Sequence, residues 1–368
     1  QKIGEGRPDE AGNVVGSAIC LFVCVALALT ALLSALTEPF CRLLQAPEEA
    51  FVPTTQYVRI CSAGTLFIVA FNVIGSVFRG LGDSKMPLIT VAIACVTNIF
   101  GDLLLVDVFQ MGAAGAALAT VFAQAVSVIL SLFVIMRRKL PFTFRKEQLR
   151  FDRPLTAGIL RLGIPIALQD VLVGVSFLVI LAIVNSLGLL QSAGMGIAEK
   201  VCAFVMLLPS AFSQSVSAFV AQNTGAGKPE RAKKALRYSV AVSLCISVFV
   251  FYFNFFHGDL LAGIFANDHA VILEAADYLK AYAIDCLLTS FLFCFVGYFS
   301  GLGKTVFVMA QGILGAFGVR IPVSFAMSRL LNVRLFYIGL ATPCSTVVQV
   351  LLCLLYYAHL ARREKAVR

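Results

Sequence analysis

The chain has 368 residues, 60% of them hydrophobic and only 13% charged, with a mean hydropathy of +0.91. A soluble globular chain carries roughly 25% charged residues, so a soluble enzyme, a nucleic-acid binder and a disulfide scaffold are all excluded. The formal charge of +9 suggests an anionic partner only until the charges are placed along the chain.

Long uncharged runs recur, and about 20 apolar residues cross the hydrocarbon layer as a helix. In chain order the pattern predicts ten spans: 12–36, 54–79, 86–106, 112–136, 156–185, 193–221, 236–256, 272–299, 305–328 and 335–360. Single charges interrupt two of them, Asp102 in the third and Arg320 in the ninth. Of the 29 Lys and Arg residues, 22 fall on alternate connections, at 1–11, 79–85, 137–161, 222–237, 304 and 362–368. The positive-inside rule places these, with both chain ends and the basic loop 137–155, in the cytoplasm. The charge is topological, and no nucleic-acid partner is expected. The fold class is all-α: a polytopic protein of the cell membrane whose first partner is the bilayer.

The 11 cysteines are an odd number, lie almost wholly in apolar runs and include no CxxC pair. They read as small packing residues. His257, His269 and His359 sit near span ends and form no ligand cluster, so neither a structural metal nor a cofactor is expected.

An internal repeat is the most informative feature. Gln1-Lys-Ile-Gly-Glu-Gly-Arg-Pro8 matches Gln222-Asn-Thr-Gly-Ala-Gly-Lys-Pro229 at an offset of 221. Tyr57 pairs with Tyr278 and Phe78-Arg-Gly-Leu-Gly82 with Phe299-Ser-Gly-Leu-Gly303 at the same offset, and Leu118-Ala-Thr120 pairs with Leu340-Ala-Thr342 at 222. Matches in register over such a length indicate duplication. The second copy has two helices, 156–185 and 193–221, with no mate in the first. The expectation is therefore ten visible helices of a twelve-helix fold made of two six-helix repeats. The N-lobe, 1–140, would hold four helices and lack its first two; 141–155 would link it to a six-helix C-lobe, 156–368. Even-numbered repeats keep one orientation and enclose a cavity between them.

Arg79-Gly-Leu-Gly-Asp-Ser-Lys-Met-Pro87, Asn98-x-x-x-Asp102, Gly163-Ile-Pro165 and Gln222-Asn-Thr-Gly-Ala-Gly-Lys-Pro229 occur in an order and duplication that resemble the multidrug and toxic compound extrusion (MATE) family of transporters. The likeness runs from Gln1 to about Leu360. It implies V-shaped lobes that alternate between inward- and outward-facing states. It also implies export of organic cations and other amphiphiles in exchange for Na⁺ or H⁺, and the N-lobe cation and proton site at Asn98 and Asp102. The chain departs from the family pattern in lacking the first two helices, including a first-helix carboxylate that one branch uses for coupling.

Independently of the resemblance, ionisable groups at membrane depth are costly and need a reason. Asn98 and Asp102 are i and i+4, so both project from one helix face. A carboxylate with an amide oxygen can replace the hydration of a transient Na⁺, and a desolvated carboxylate can carry a proton instead. The bland alternative is a structural hydrogen bond between packed helices. In the second half Gln169, Asp170, Glu199, Gln214, Asp285 and Arg320 are candidates for a cavity that attracts a lipophilic cation. Their alternative is internal pairing, Arg320 with Asp285 and Glu199 with a snorkelling Lys200.

Gly297-Tyr-Phe-Ser-Gly-Leu-Gly-Lys304-Thr305 has the wrong spacing for a phosphate-binding loop, and no metalloprotease or nucleophile-elbow motif occurs. The expected activity is an ion-coupled antiporter, not an enzyme, acting as a monomer on small amphiphiles. A flippase for a lipid-linked intermediate and a membrane-embedded enzyme are the alternatives.

Overall fold

The computed structural model describes residues 1–43, 48–137, 145–330 and 333–367. Among them every regular element is a helix. Among the described residues nine helices are long and apolar enough to cross a membrane, or up to ten if a bent pair counts as one span. Their outward faces carry Leu88, Phe100, Met136 and Leu355, each about 70% exposed or more. In water such a surface would aggregate; in a bilayer it is the solvated face. The protein is all-α and spans the membrane many times. Packing divides the chain into two units, Lys2–Ile159 and Leu160–Arg368, the second joined by Gln1.

The first unit holds α1 (Pro8–Leu43), α2 (Glu48–Ala63), α3 (Thr65–Gly80), α4 (Lys85–Asp102) and α5 (Gly112–Arg137). One expectation needs correction here. The span 54–79 is not a single helix: α2 and α3 meet at Gly64 with a bend of 55°. A Cβ at Gly64 would fall on the side chain of Val121, so α5 presses directly on the backbone at the break. Next, α4 runs on through a π-helical segment, Leu103–Val108. Close contacts bind the helices: the Ser127 hydroxyl donates to the Thr90 carbonyl at 2.6 Å, and Thr30 to the Ser62 carbonyl at 3.1 Å. A 3₁₀ turn, Lys146–Gln148, then lies against α1 at Gly12 and Gly16. Of the basic loop 137–155, Arg138 and Lys139 lie outside the described residues, as do the start of the 141–155 linker and residues 331–332.

The second unit holds α6 (Arg153–Asn185), which begins in the first, then α7 (Leu189–Gly225), α8 (Pro229–Phe256) and the short α9 (Gly258–Gly263). It continues with α10 (His269–Gly301), α11 (Thr305–Ile313), α12 (Ile321–Met327), α13 (Leu335–Gly339) and α14 (Ala341–Val367). The span 305–328 is also not uniform. A π-helical segment, Leu314–Arg320, separates α11 from α12. Ala, Tyr, Cys and Ser are buried on every side of α10, making it the axis of this unit. It runs parallel to α7, and a Cβ at Gly301 would fall 2.6 Å from the Ser217 carbonyl oxygen. Gly297 meets Ser213 one turn earlier in the same way. Small residues four apart let two membrane helices touch backbone to backbone. We expect Gly297→Ala to cost about 1–3 kcal/mol by overpacking, read as a lower unfolding temperature in detergent. An unchanged temperature would show that α7 and α10 part without penalty. At the other end of α10, Asp277 accepts from Arg334 Nε at 3.2 Å and Nη2 at 2.5 Å, and from the Phe336 amide at 3.2 Å. One carboxylate thus ties the loop before α13 to the axial helix.

The duplication is visible in backbone geometry. Gly82 and Gly303 have φ of 82° and 76°, and Gly6 and Gly227 have 71° and 66°. Only glycine enters that region without strain. Each sits in a turn closed by the same backbone hydrogen bond five residues back. Asp83 donates to Phe78 O at 2.9 Å and Lys304 to Phe299 O at 2.8 Å; Arg7 donates to Lys2 O at 3.1 Å and Lys228 to Asn223 O at 2.8 Å. The Pro that follows, Pro8 or Pro229, opens the next helix in both copies.

Candidate functional site

Each unit builds a polar centre from the same duplicated frame. In the first, Asn98 and Asp102 lie one turn apart on α4, half-buried. Asn98 Nδ2 donates to the Thr120 hydroxyl on α5 at 3.4 Å, and Thr120 donates to Ala116 O at 2.9 Å. That leaves the Asn98 amide oxygen open. One Asp102 oxygen is buried without a hydrogen-bond partner, and so is the side-chain oxygen of Gln124, one turn beyond Thr120. Tyr57, from α2, lies beside Thr120 and Cys61 and within electrostatic range of Asp102. Gly101 and Gly115 allow this approach: a Cβ at Gly101 would stand 2.8 Å from Ala119, and one at Gly115 3.0 Å from the Leu105 backbone. An acceptor-rich pocket with open carboxylate and amide oxygens can take up a proton or a small cation.

In the second unit the mate of Tyr57 is Tyr278, which lies beside Thr342, the mate of Thr120. The frame is therefore duplicated, but its charges are not. The repeat offset passes from 221 at Gly303 to 222 at Leu340, and the segment Leu314–Arg320 lies between those two matches. At the offset of 222 Arg320, the last residue of that segment, falls at the position of Asn98, and Ser324 at that of Asp102. The carboxylate has changed helices: Asp285 on α10 stands where the first unit has Gly64. Where the first unit breaks its helix, the second carries a buried acid in an unbroken one.

Asp285 has no exposed surface, and neither carboxylate oxygen has a hydrogen-bond partner. Thr346 lies beside it but donates to Thr342 O at 3.1 Å. The expected direct pairing of Arg320 with Asp285 does not form. Arg320 donates instead to the Ser176 hydroxyl on α6 at 3.2 Å and stacks over Phe177 at 4.5 Å, with Asp285 in electrostatic range. Its fork is held by α6 while the acid sits on α10, so the charges compensate at a distance. Nor does Glu199 pair with Lys200. The Lys200 ammonium turns to the Phe265 ring, 6.0 Å away, whereas Glu199 lies within electrostatic range of Cys202 and Tyr278.

Gln169 packs against Gly312, where a Cβ would lie 2.8 Å from its amide, and its oxygen is buried and unpartnered. Asp170 and Gln214 are exposed on their helices and are not drawn into either centre. Sequence reasoning missed Tyr57, Cys61 and Gln124 in one centre and Ser176, Cys202 and Thr346 in the other. Gln124 was findable, because it is a polar residue in an apolar span one turn from the duplicated Thr120.

A family model described as MatE matches residues 1–104 and 165–326. The chain is 24% identical over its full length to the probable multidrug resistance protein YoeA of Bacillus subtilis, covering 81% of that protein. It is 28% identical over 73% of its length to an FAD transporter of Shewanella oneidensis, of which it covers 61%. A crystal structure of MATE in complex with MaL6 has the same fold, with a TM-score of 0.93 over 99% of this chain and 82% of that one at 18% identity. The family model reaches both units and ends just beyond Ser324, so it takes in Asn98, Asp102, Asp285 and Arg320 together. On that match the chain belongs to the MatE family: it is a MATE transporter and not an enzyme.

Proposed function

We propose that the protein is an ion-coupled antiporter that exports organic cations, drugs or other amphiphiles by alternating access, with H⁺ or Na⁺ as the counter-ion. Residues 1–140 and 156–368 act as its two lobes, joined through 141–155, and both ends of the chain and the basic loop are cytoplasmic. The observation that carries this reading is the half-satisfied Asn98–Asp102–Thr120 centre, whose buried Asp102 oxygen has no partner in an otherwise apolar span. A group so placed gains a partner whenever a proton or cation enters, and gives it up when a competing cation binds. Its relatives include a probable multidrug resistance protein, which supports the same substrate class.

A second reading is export of an anionic amphiphile, including a lipid-linked intermediate. The buried Arg320 in place of Asn98 supports it, as does a relative named as an FAD transporter. Uptake into proteoliposomes separates the two. With the full chain, a lipophilic cationic dye is expected to be transported and a flavin nucleotide not. Transport of the flavin alone would overturn the cation reading in favour of the second.

A further inference from the structure

The face of α5 that carries Thr120 continues beyond it. Thr120, Gln124 and Ser127 stand at i, i+4 and i+7, so they share one side of the helix. The two end members of this stripe both touch α4. Thr120 accepts from Asn98 Nδ2 at 3.4 Å, and Ser127 donates to the Thr90 carbonyl at 2.6 Å. The helices run antiparallel: Ala119 meets Gly101, Thr120 meets Asn98, and Ser127 meets Thr90. Gln124 therefore faces α4 between Asn98 and Thr90, at the level of the small Ala94. Asp102 lies one turn to the other side of Asn98. Along this seam the order is Asp102, Asn98 with Thr120, Gln124, then Thr90 with Ser127, each four residues rising about 6 Å.

What the seam offers is oxygen. Thr120 donates to Ala116 O at 2.9 Å, Ser127 to Thr90 O, and Thr90 to Pro87 O at 3.0 Å. Each hydroxyl thus commits its hydrogen to a carbonyl and keeps lone pairs for an entering group. Gln124 Oε1 is buried and has no hydrogen-bond partner. A buried acceptor without a donor is unfavourable unless something comes to fill it. An amide oxygen does not titrate near neutral pH, so it takes a hydrogen-bond donor or a metal cation and does not store a proton. The second unit lacks this arrangement. At the offset of 222 Thr346 stands for Gln124 and Arg320 for Asn98. Thr346 donates to Thr342 O at 3.1 Å, and the guanidinium brings a fixed positive charge where the first unit has an open amide oxygen.

Resting on the antiporter reading above, we propose that Gln124 is a further ligand of the coupling cation, and that this cation is Na⁺. The ion is held at an inner station by Gln124 Oε1, Asn98 Oδ1 and the Thr120 hydroxyl. This station lies one turn from Asp102 toward the Lys85 end of α4, which the proposed orientation makes cytoplasmic. Asn98 is common to both positions, so the ion passes between carboxylate and amides without giving up all its protein ligands at once. Asp102 supplies the charge. The neutral oxygens supply the selectivity, because they replace the hydration shell of a hard cation and cannot hold a proton in its place.

The test is equilibrium binding of radioactive Na⁺ to the full chain in detergent, run beside dye transport in proteoliposomes. Gln124→Met keeps the length of the side chain and removes its oxygen. It is expected to weaken Na⁺ binding about tenfold with Asp102 intact. Gln124→Glu keeps an oxygen at the same reach, so it should bind Na⁺ at least as tightly as the wild type. Its affinity should also fall more steeply than the wild type's as pH is lowered, since the new carboxylate titrates. A glutamine that only packs would give neither the loss nor the steeper pH dependence. Wild-type affinity and pH dependence in both variants, or no Na⁺ bound by the wild type, would overturn the proposal. If Gln124→Met does not fold, the pH dependence of Gln124→Glu decides alone. The two readings fail separately. Proton-driven transport without Na⁺ binding removes the inner station and leaves the antiporter, whereas transport that follows neither gradient removes the antiporter whatever Na⁺ binding shows.

Discussion

In Asp102→Asn, ion-driven export is expected to fall to the rate of protein-free vesicles while the full chain still inserts and folds. The substitution keeps volume and hydrogen-bonding capacity and removes the charge that can exchange a proton or Na⁺. Folding should survive because the carboxylate is not a structural clasp: one of its oxygens is buried without a partner. Thr120→Val is the graded companion. It deletes the acceptor for Asn98 Nδ2 at 3.4 Å, a hydrogen bond worth about 1 kcal/mol, so coupling should weaken several-fold rather than vanish. Wild-type export with unchanged pH and Na⁺ dependence in Asp102→Asn would reduce this residue to a structural polar group. Coupling would then rest on the Glu199 and Asp285 side of the second unit.

Arg320→Met is expected to be the most destabilising single change in the second unit, at about 3–5 kcal/mol, because it strands a buried charge. Asp285 is fully buried with both oxygens unpartnered, and Arg320 is the cation in its electrostatic range. Lost stacking on Phe177 and the lost bond to Ser176 add to the effect. Asp285→Asn in the same chain removes the stranded acid and should restore much of the stability. A double-mutant cycle reads this directly: coupling above about 1 kcal/mol marks a pair acting as a unit. Additive losses would mean that Arg320 serves Ser176 and Phe177 alone.

What the sequence revealed, and what it hid, follows from the range of the forces involved. The duplicated Gly and Pro motifs were legible because a positive φ and a helix-opening proline are local requirements. Span positions were legible because lipid demands about 20 apolar residues wherever they occur. The break at Gly64 was not, since residues 54–79 are apolar enough for one span and the bend comes from Val121 pressing in from α5. The π segment that ends at Arg320 was equally hidden, because nothing in that apolar run marks a change of helical pitch. Asn98, Asp102, Asp285 and Arg320 announced themselves as polar residues in apolar spans. Their partners did not, because Thr120, Ser176, Cys202 and Thr346 are ordinary in a membrane helix until packing brings them to a charge. Arg320 was expected on Asp285 and found on Ser176, a choice set by which helix lies opposite.

Coupling to an ion gradient is tested most directly in proteoliposomes that hold the full chain, with a lipophilic cationic dye as cargo. The proton and Na⁺ gradients are imposed one at a time. Dye transport should follow one of them, reverse when that gradient is reversed, and stop when it is collapsed. Transport that proceeds at the same rate with neither gradient present would contradict an ion-coupled antiporter, whatever Asp102 contributes.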